Sequence, residues 1–257
     1  MNTGEPLRIE KKDGIVLVTL DSRNGMNVLD TETLELLGNT FLGIENDEEA
    51  RAVIIRGEKN FCAGADIKKM KDMTPAEATA FSRLGHRVCA QIENMGKAVI
   101  AAINGYALGG GCEIALACDV RIASESAKLG QPEINLGIVP GFGGTQRLPR
   151  LVGIGMAKEL IFTGKIIDAK DAESIGLVNQ TVKDGELMKR AEEMATLIAQ
   201  KSPLGIRAAK KLINESRGLQ KGLEHEVMSF AECFAAQDRI EGMNAFLEKR
   251  SPKFGGT

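Results

Sequence analysis

Residues 97–124 read KAVIAAINGYALGGGCEIALACDVRIAS. Ala98–Ile103 is an unbroken apolar run that ends at the turn pair Asn104-Gly105, the pattern of a strand buried on both faces. Gly109-Gly110-Gly111 then opens a second apolar stretch, to Cys118, which reads as a Gly-rich turn leading into a buried helix. Asp119–Ala123 reads as the next strand. Strand, glycine turn, helix and strand in direct succession are the signature of an α/β core.

Working outward, AVIIRG (52–57) is another β-branched run, and Leu7–Lys11 with Ile15–Leu20 form a hairpin about Asp13-Gly14. The polar loop DSRNGMN precedes a helix capped by Asp30 and running to about Asn46. A further helix covers 75–95, with Pro75 at its first position after Thr74. Downstream, Ala127–Gly130 is a short strand, QPEINLGIVPGFGGTQR a long loop, 143–162 and 168–175 helical pieces, and Val178–Val182 a closing strand. Beyond about residue 184 the strands stop. Glu186–Gln200, Pro203–Glu215, Leu219–Ala236 and Asp238–Arg250 all carry helical patterns. The expectation is an α/β core over 1–195 and an all-helical region over 196–257.

Composition removes several classes of function. Lys+Arg total 33 against 35 Asp+Glu, a net charge of −2, so the chain lacks the cationic excess of a nucleic-acid or membrane-surface binder. One Tyr, nine Phe and no Trp leave little for base stacking. The five cysteines (62, 89, 112, 118, 233) make no CxxC pair and sit in apolar or Gly-rich company, as reduced cysteines do. His86 and His225 have no zinc-site spacing, so no metal is expected. No apolar segment is long enough to span a bilayer and the N-terminus lacks a signal core, so the expected compartment is the cytoplasm.

The chemistry gathers at two Gly-rich elements, Ala63-Gly64-Ala65-Asp66 and Gly109-Gly110-Gly111-Cys112-Glu113. Each follows a strand, where open α/β sheets bind ligands. Two readings stay open for them. The amides of Ala65 and Gly110 could converge on one carbonyl oxygen, or the glycines could serve only tight turns and close packing. Glu113 sits in an otherwise apolar helix and Glu133 in an apolar, Gly-rich loop. Two carboxylates in unlike surroundings can divide acid and base roles, whereas the plainer alternative has Glu113 capping a turn and Glu133 facing water. Cys112 has no histidine near it in sequence and reads as a packed side chain. Asp66 suits the N-cap of the helix beginning IKKM, and Lys68, Lys69 and Lys71 are a solvated face or a phosphate contact.

Taken together, NFCAGADIKKM (60–70), the opening stretch 97–124, LGQPEINLGIVPGFGGTQRLPRLVG (129–153) and AFLEKR (245–250) closely resemble the enoyl-CoA hydratase (crotonase) branch of the crotonase superfamily. The resemblance runs from about residue 7 to 250. It implies a spiral of ββα units, with the C-terminal helices mediating a homo-oligomer, a trimer or a dimer of trimers. It places an oxyanion hole on the amides of Ala65 and Gly110 and the catalytic pair on Glu113 and Glu133. Ala63, Ala65, Asp66, Ile67, Lys68 and Gly110 match the acyl-CoA contacts, and Phe246 and Lys249 match positions reaching the CoA of a neighbouring subunit. The implied reaction is reversible syn hydration of a 2-enoyl-CoA, short-chain as in crotonyl-CoA, with no cofactor besides the CoA of the substrate. A hydratase of cyclic or dienoyl thioesters, an isomerase of the same superfamily and a CoA-binding scaffold are the alternatives. One position departs: Asn24 stands where many relatives carry a CoA-phosphate lysine, with Arg23 beside it as a substitute.

Overall fold

A computed structural model describes residues 6–22, 24–215 and 236–256. Arg23, His225, Cys233 and the side chain of Phe246 lie outside the described residues, as does residue 219–235 of the helix expected over 219–236.

The hairpin forms as β1 (Leu7–Lys12) and β2 (Ile15–Leu20), turning at Asp13 and Gly14, both with positive φ. β3 (Ala52–Gly57), β4 (Ala98–Ile103), β6 (Val120–Ser124) and β9 (Gln180–Val182) extend it into a six-stranded sheet of order β1-β2-β3-β4-β6-β9, parallel after the first pair. A smaller sheet holds β5 (Tyr106–Leu108), β7 (Lys128–Gly130) and β8 (Ile166–Asp168) in the order β5-β7-β8. Cys62 joins it through a parallel bridge to Ala107. The chain therefore leaves the large sheet after β3, β4 and β6 and each time enters the small one, which is the spiral expected from the resemblance.

The continuous apolar runs are explained by covering on both faces. Val53, Ile55, Val99, Ala101 and Ile103 join the cluster containing Leu34, Leu37 and Phe41 of α1 (Thr31–Glu45) and Leu84, Val88 and Ile92 of α3 (Pro75–Asn94). Ala52, Ile54, Ile100, Ala102 and Ile122 point the other way, under Leu187, Ala191 and Ala195 of α8 (Leu187–Ala199). Those three recur at four-residue spacing, so a single stripe of α8 closes the sheet. The other helices that precede α8 are α2 (Ile67–Met70), α4 (Gly110–Ala117), α5 (Gly144–Val152), α6 (Ile154–Thr163) and α7 (Ala169–Ser174). Asp30 caps α1, accepting from the Thr33 amide at 2.8 Å, and Thr74 with Glu77 forms a capping box on α3.

Four short elements were not expected: β5, β8 and 3₁₀ turns over Pro132–Leu136 and Asp184–Glu186. Three residues are too few for an alternation to show, and β8 exists only because β7 offers it a free edge.

Of the C-terminal helices, α9 (Pro203–Asn214) and α10 (Gln237–Leu247) are described. Lys210 pins α9 to the core: its buried Nζ donates to Ile92 O, Lys97 O and Asp119 Oδ2 at 3.0, 3.1 and 2.8 Å. Asp238 of α10 accepts from Ser202 Oγ and from the Gly255 and Gly256 amides, folding the tail back against the start of α9. Removing one partner of a buried ion pair strands the other. Lys210→Met should therefore cost about 2–4 kcal/mol in urea unfolding, with the native circular dichroism spectrum retained below the transition.

Candidate active site

The three glycines of residues 109–111 let α4 start in a space with no room for side chains. Gly109 has φ +50°, and a Cβ there would meet Glu133 Oε1 at 3.1 Å. At Gly111 it would fall 2.2 Å from Cys62 O, and at Gly110 2.9 Å from the Phe142 ring. On the facing segment Gly64 has φ +99°, and its Cβ would lie 2.8 Å from Leu108 O and 3.7 Å from Gly110 N. The segment 62–65 and the start of α4 thus touch backbone to backbone. The amides of Ala65 and Gly110, one on each segment, have no acceptor among the described residues. The close-packing reading holds here, and that packing leaves the two donors unspent.

Glu113 lies one helical turn into α4, 1% exposed. Its Oε1 accepts from the Phe142 amide at 2.8 Å and the Gly144 amide at 2.7 Å. It does cap a neighbouring turn, as the plainer reading had it, but from inside the core and with Oε2 left over. Burial raises its pKa, opposed by these amides and by the charge of Arg147.

Glu133, in the first 3₁₀ turn after β7, is 9% exposed rather than facing water. Neither of its oxygens has a hydrogen-bond partner. Burial pushes its pKa up to about 7, with the negative charge of Glu113 adding to the effect. The carboxylates therefore share a neighbourhood and differ in support: one is held by two amides, the other by none.

A cavity of about 290 Å³ is lined by Leu29, Asp30, Asp66, Lys69, Met73 and Phe81 among others. Leu29 also packs 3.1 Å from where a Gly110 Cβ would stand, and Phe81 meets Phe142 edge-on at 5.3 Å between ring centroids. The cavity thus reaches Leu29, a neighbour of Gly110, and Phe81, a neighbour of Phe142.

Asp66 caps α2 as expected, accepting from the Lys68 and Lys69 amides. Ile67 and Lys68 are exposed on that helix, and Ala63 is half-buried with its amide on Met26 O. Lys69 pairs with Asp30 at 2.5 Å. Lys249 follows α10, exposed, and does not line the cavity within one chain. Asn24 spends its side-chain oxygen inside its own loop, accepting from Ser22 Oγ and the Met26 amide, both at 3.0 Å. Burial pushes the Cys112 thiol up to about 12, which fits a packed side chain and not a nucleophile. Among the described residues no three His, Cys, Asp or Glu side chains gather as a metal site, and no helix is long and apolar enough to cross a membrane.

Sequence reasoning missed the donors to Glu113. The Gly-rich stretch GFGG (141–144) ahead of a helix carried a signal like that of 109–111, but nothing in one dimension linked it to residue 113. Gln131 was not singled out either; it is buried next to this segment, with its Oε1 unpartnered and its Nε2 3.5 Å from Gly109 O.

A sequence model of the family described as enoyl-CoA hydratase/isomerase matches residues 10–257. The chain is 49% identical to the short-chain-enoyl-CoA hydratase of Clostridium acetobutylicum, with 94% of each covered. It is 45% identical to the crotonyl-CoA hydratase of Syntrophomonas wolfei, covering 97% of this chain and 98% of that one. The crystal structure of an enoyl-CoA hydratase from Bacillus anthracis superposes with a TM-score of 0.95 at 41% identity, covering 98% of this chain and 100% of the other.

The unsupported carboxylate of Glu133 has a consequence for stability. Its folded pKa of about 7 lies above the ordinary 4.5, so the folded state holds the proton more tightly than the unfolded chain between those values. Stability from this group is fully present at low pH and is lost as pH rises through about 7. Glu133→Gln should match the parent protein near pH 4.5 and exceed it at pH 8 by on the order of 2 kcal/mol, read from urea midpoints across the range.

Proposed function

Because the chain belongs to the enoyl-CoA hydratase/isomerase family, we propose that it adds water reversibly to a short-chain 2-enoyl-CoA, giving the 3-hydroxyacyl-CoA. The observation that carries the reading is the pairing of two buried, unequally supported carboxylates with two unpaired amides, Ala65 on the 62–65 segment and Gly110 at the start of α4.

The thioester oxygen accepts from the amides of Ala65 and Gly110. Polarised in this way, the carbonyl draws electrons from the double bond, leaving C3 open to attack and negative charge on the oxygen. Fixed donors in a water-poor site stabilise that charge without reorganising, each contributing about 2.7–4 kcal/mol. Glu113, ionised and anchored through Oε1, takes a proton from the water that attacks C3. Glu133, which holds a proton at neutral pH more readily than an ordinary carboxylate, passes one to C2. One water is consumed, its hydroxyl to C3 and the proton from Glu133 to C2; Glu113 then releases the proton it took and Glu133 takes one up, which restores both carboxyls. Nothing is oxidised or reduced, so the proposal needs no redox cofactor, and CoA arrives with the substrate.

The surface of α2, with Ile67 and Lys68 exposed beyond the Asp66 cap, together with Ala63, is the proposed CoA contact. Phe246 and Lys249 are assigned to the CoA of a neighbouring subunit in a trimer or dimer of trimers. Exposed Leu136, Val139, Ile154, Phe162 and Ile166, on mutually packed segments, support association. The cytoplasm is the proposed compartment, in keeping with free, buried Cys62, Cys89, Cys112 and Cys118.

Glu113→Gln and Glu133→Gln should each slow crotonyl-CoA hydration by about 10²–10⁴-fold with the fold intact, followed by loss of enoyl-thioester absorbance. Mass analysis of products from short, long, cyclic and β,γ-unsaturated acyl-CoAs separates this reading from the alternatives. Shift of a double bond without gain of water would replace it with isomerisation.

A further inference from the structure

Glu113 depends on a turn that it does not hold in place alone. Phe142 and Gly144 supply its two donors, and Gly143 between them has φ +112°. The turn is gripped from behind by Arg147 of α5, whose Nη1 donates to Phe142 O at 3.0 Å. The guanidinium lies so close that a Cβ on Gly143 would fall 2.2 Å from Nη1. Its other arm, Nη2, donates to Glu93 Oε2 of α3 at 2.7 Å, and the pair is largely shielded, with side chains 12% and 27% exposed. Ser82 Oγ adds a bond to Gly141 O at 2.6 Å.

We infer that Arg147, oriented by Glu93, is a positioning residue for Glu113: it fixes the peptides whose amides hold the carboxylate and presents the nearby positive charge. This rests on the proposed role of Glu113 as the base. A two-armed guanidinium suits the task, because one group can span a carbonyl and a carboxylate in a fixed plane. Around Glu113 the other titratable groups are Glu133 from the 3₁₀ turn, Cys112 on α4 and Cys89 on α3. Around Arg147 they are Glu93, Cys89 and, across Gly143, the exposed ring of His86. Of these, Arg147 is the cation whose charge opposes the burial of Glu113. Without it the carboxylate protonates more readily.

The test is a pH profile combined with a double-mutant cycle on crotonyl-CoA hydration. Arg147→Met should lower kcat about tenfold to hundredfold with KM within about twofold, since the carboxylate is displaced while the thioester site is untouched. The acid limb of kcat should move up by about one pH unit, and Arg147→Lys, which keeps the charge, should return it toward the parent position. In a Glu113→Gln background the same Arg147→Met change should add little, because its target is already gone. Equal losses in both backgrounds, or an unmoved acid limb in a folded Arg147→Met protein, would overturn the assignment. If Arg147→Met does not fold, Glu93→Gln, which frees the guanidinium but leaves it present, is carried through the same cycle with the same expectations at smaller size. Failure of the underlying reading looks different: Glu113→Gln alone would then hydrate crotonyl-CoA at the parent rate, and both proposals would fall together.

Discussion

The whole arrangement depends on one close approach of backbone to backbone, between residues 62–65 and the first turn of α4. Where Cβ atoms are excluded by carbonyl oxygens at 2.2 and 2.8 Å, only glycine is tolerated at 111 and 64. The contact places two segments side by side with the Ala65 and Gly110 amides unspent. It also puts the first turn of α4 inside the protein, so the residue one turn on, Glu113, must be a buried acid. Donors and acid follow from the same packing decision.

Burying two carboxylates in one region is costly unless each is supported, and they are supported unequally. Glu113 is held by the Phe142 and Gly144 amides, while Glu133 is left without a partner and is pushed up to about 7. That asymmetry gives two chemically identical side chains different surroundings. Unsatisfied buried polar atoms are uncommon in stable folds, so the two oxygens of Glu133 mark a point where stability is given up, in keeping with the proposed role.

The frame around the site is rigid for ordinary reasons. The central strands are apolar along their length because α1 and α3 cover one face and α8 the other. Their ends are thereby fixed, and so are the loops that leave them. Rigid strands presenting short glycine-rich loops locate a group to within a fraction of an ångström, which polar catalysis requires.

Much of this was legible in the chain itself. The runs AVIIRG and AVIAAI, the caps at Asp30, Asp66 and Thr74 and the glycine clusters are local signals, set by backbone conformation and by burial pattern, and they yielded the core strands, the main helices and the two glutamates. The short strands β5 and β8 were invisible because a neighbour's edge, not their own composition, makes them strands. The sequence likewise offered Glu133 two environments and could not choose, since its burial comes from Gly109, a residue 24 positions earlier. Least legible was the support of Glu113, from amides about thirty residues away and an Arg147–Glu93 pair spanning two helices. Backbone amides have no letter in the sequence; residue type determines which groups are available, and only the tertiary contact decides which of them face each other and how far water is kept out.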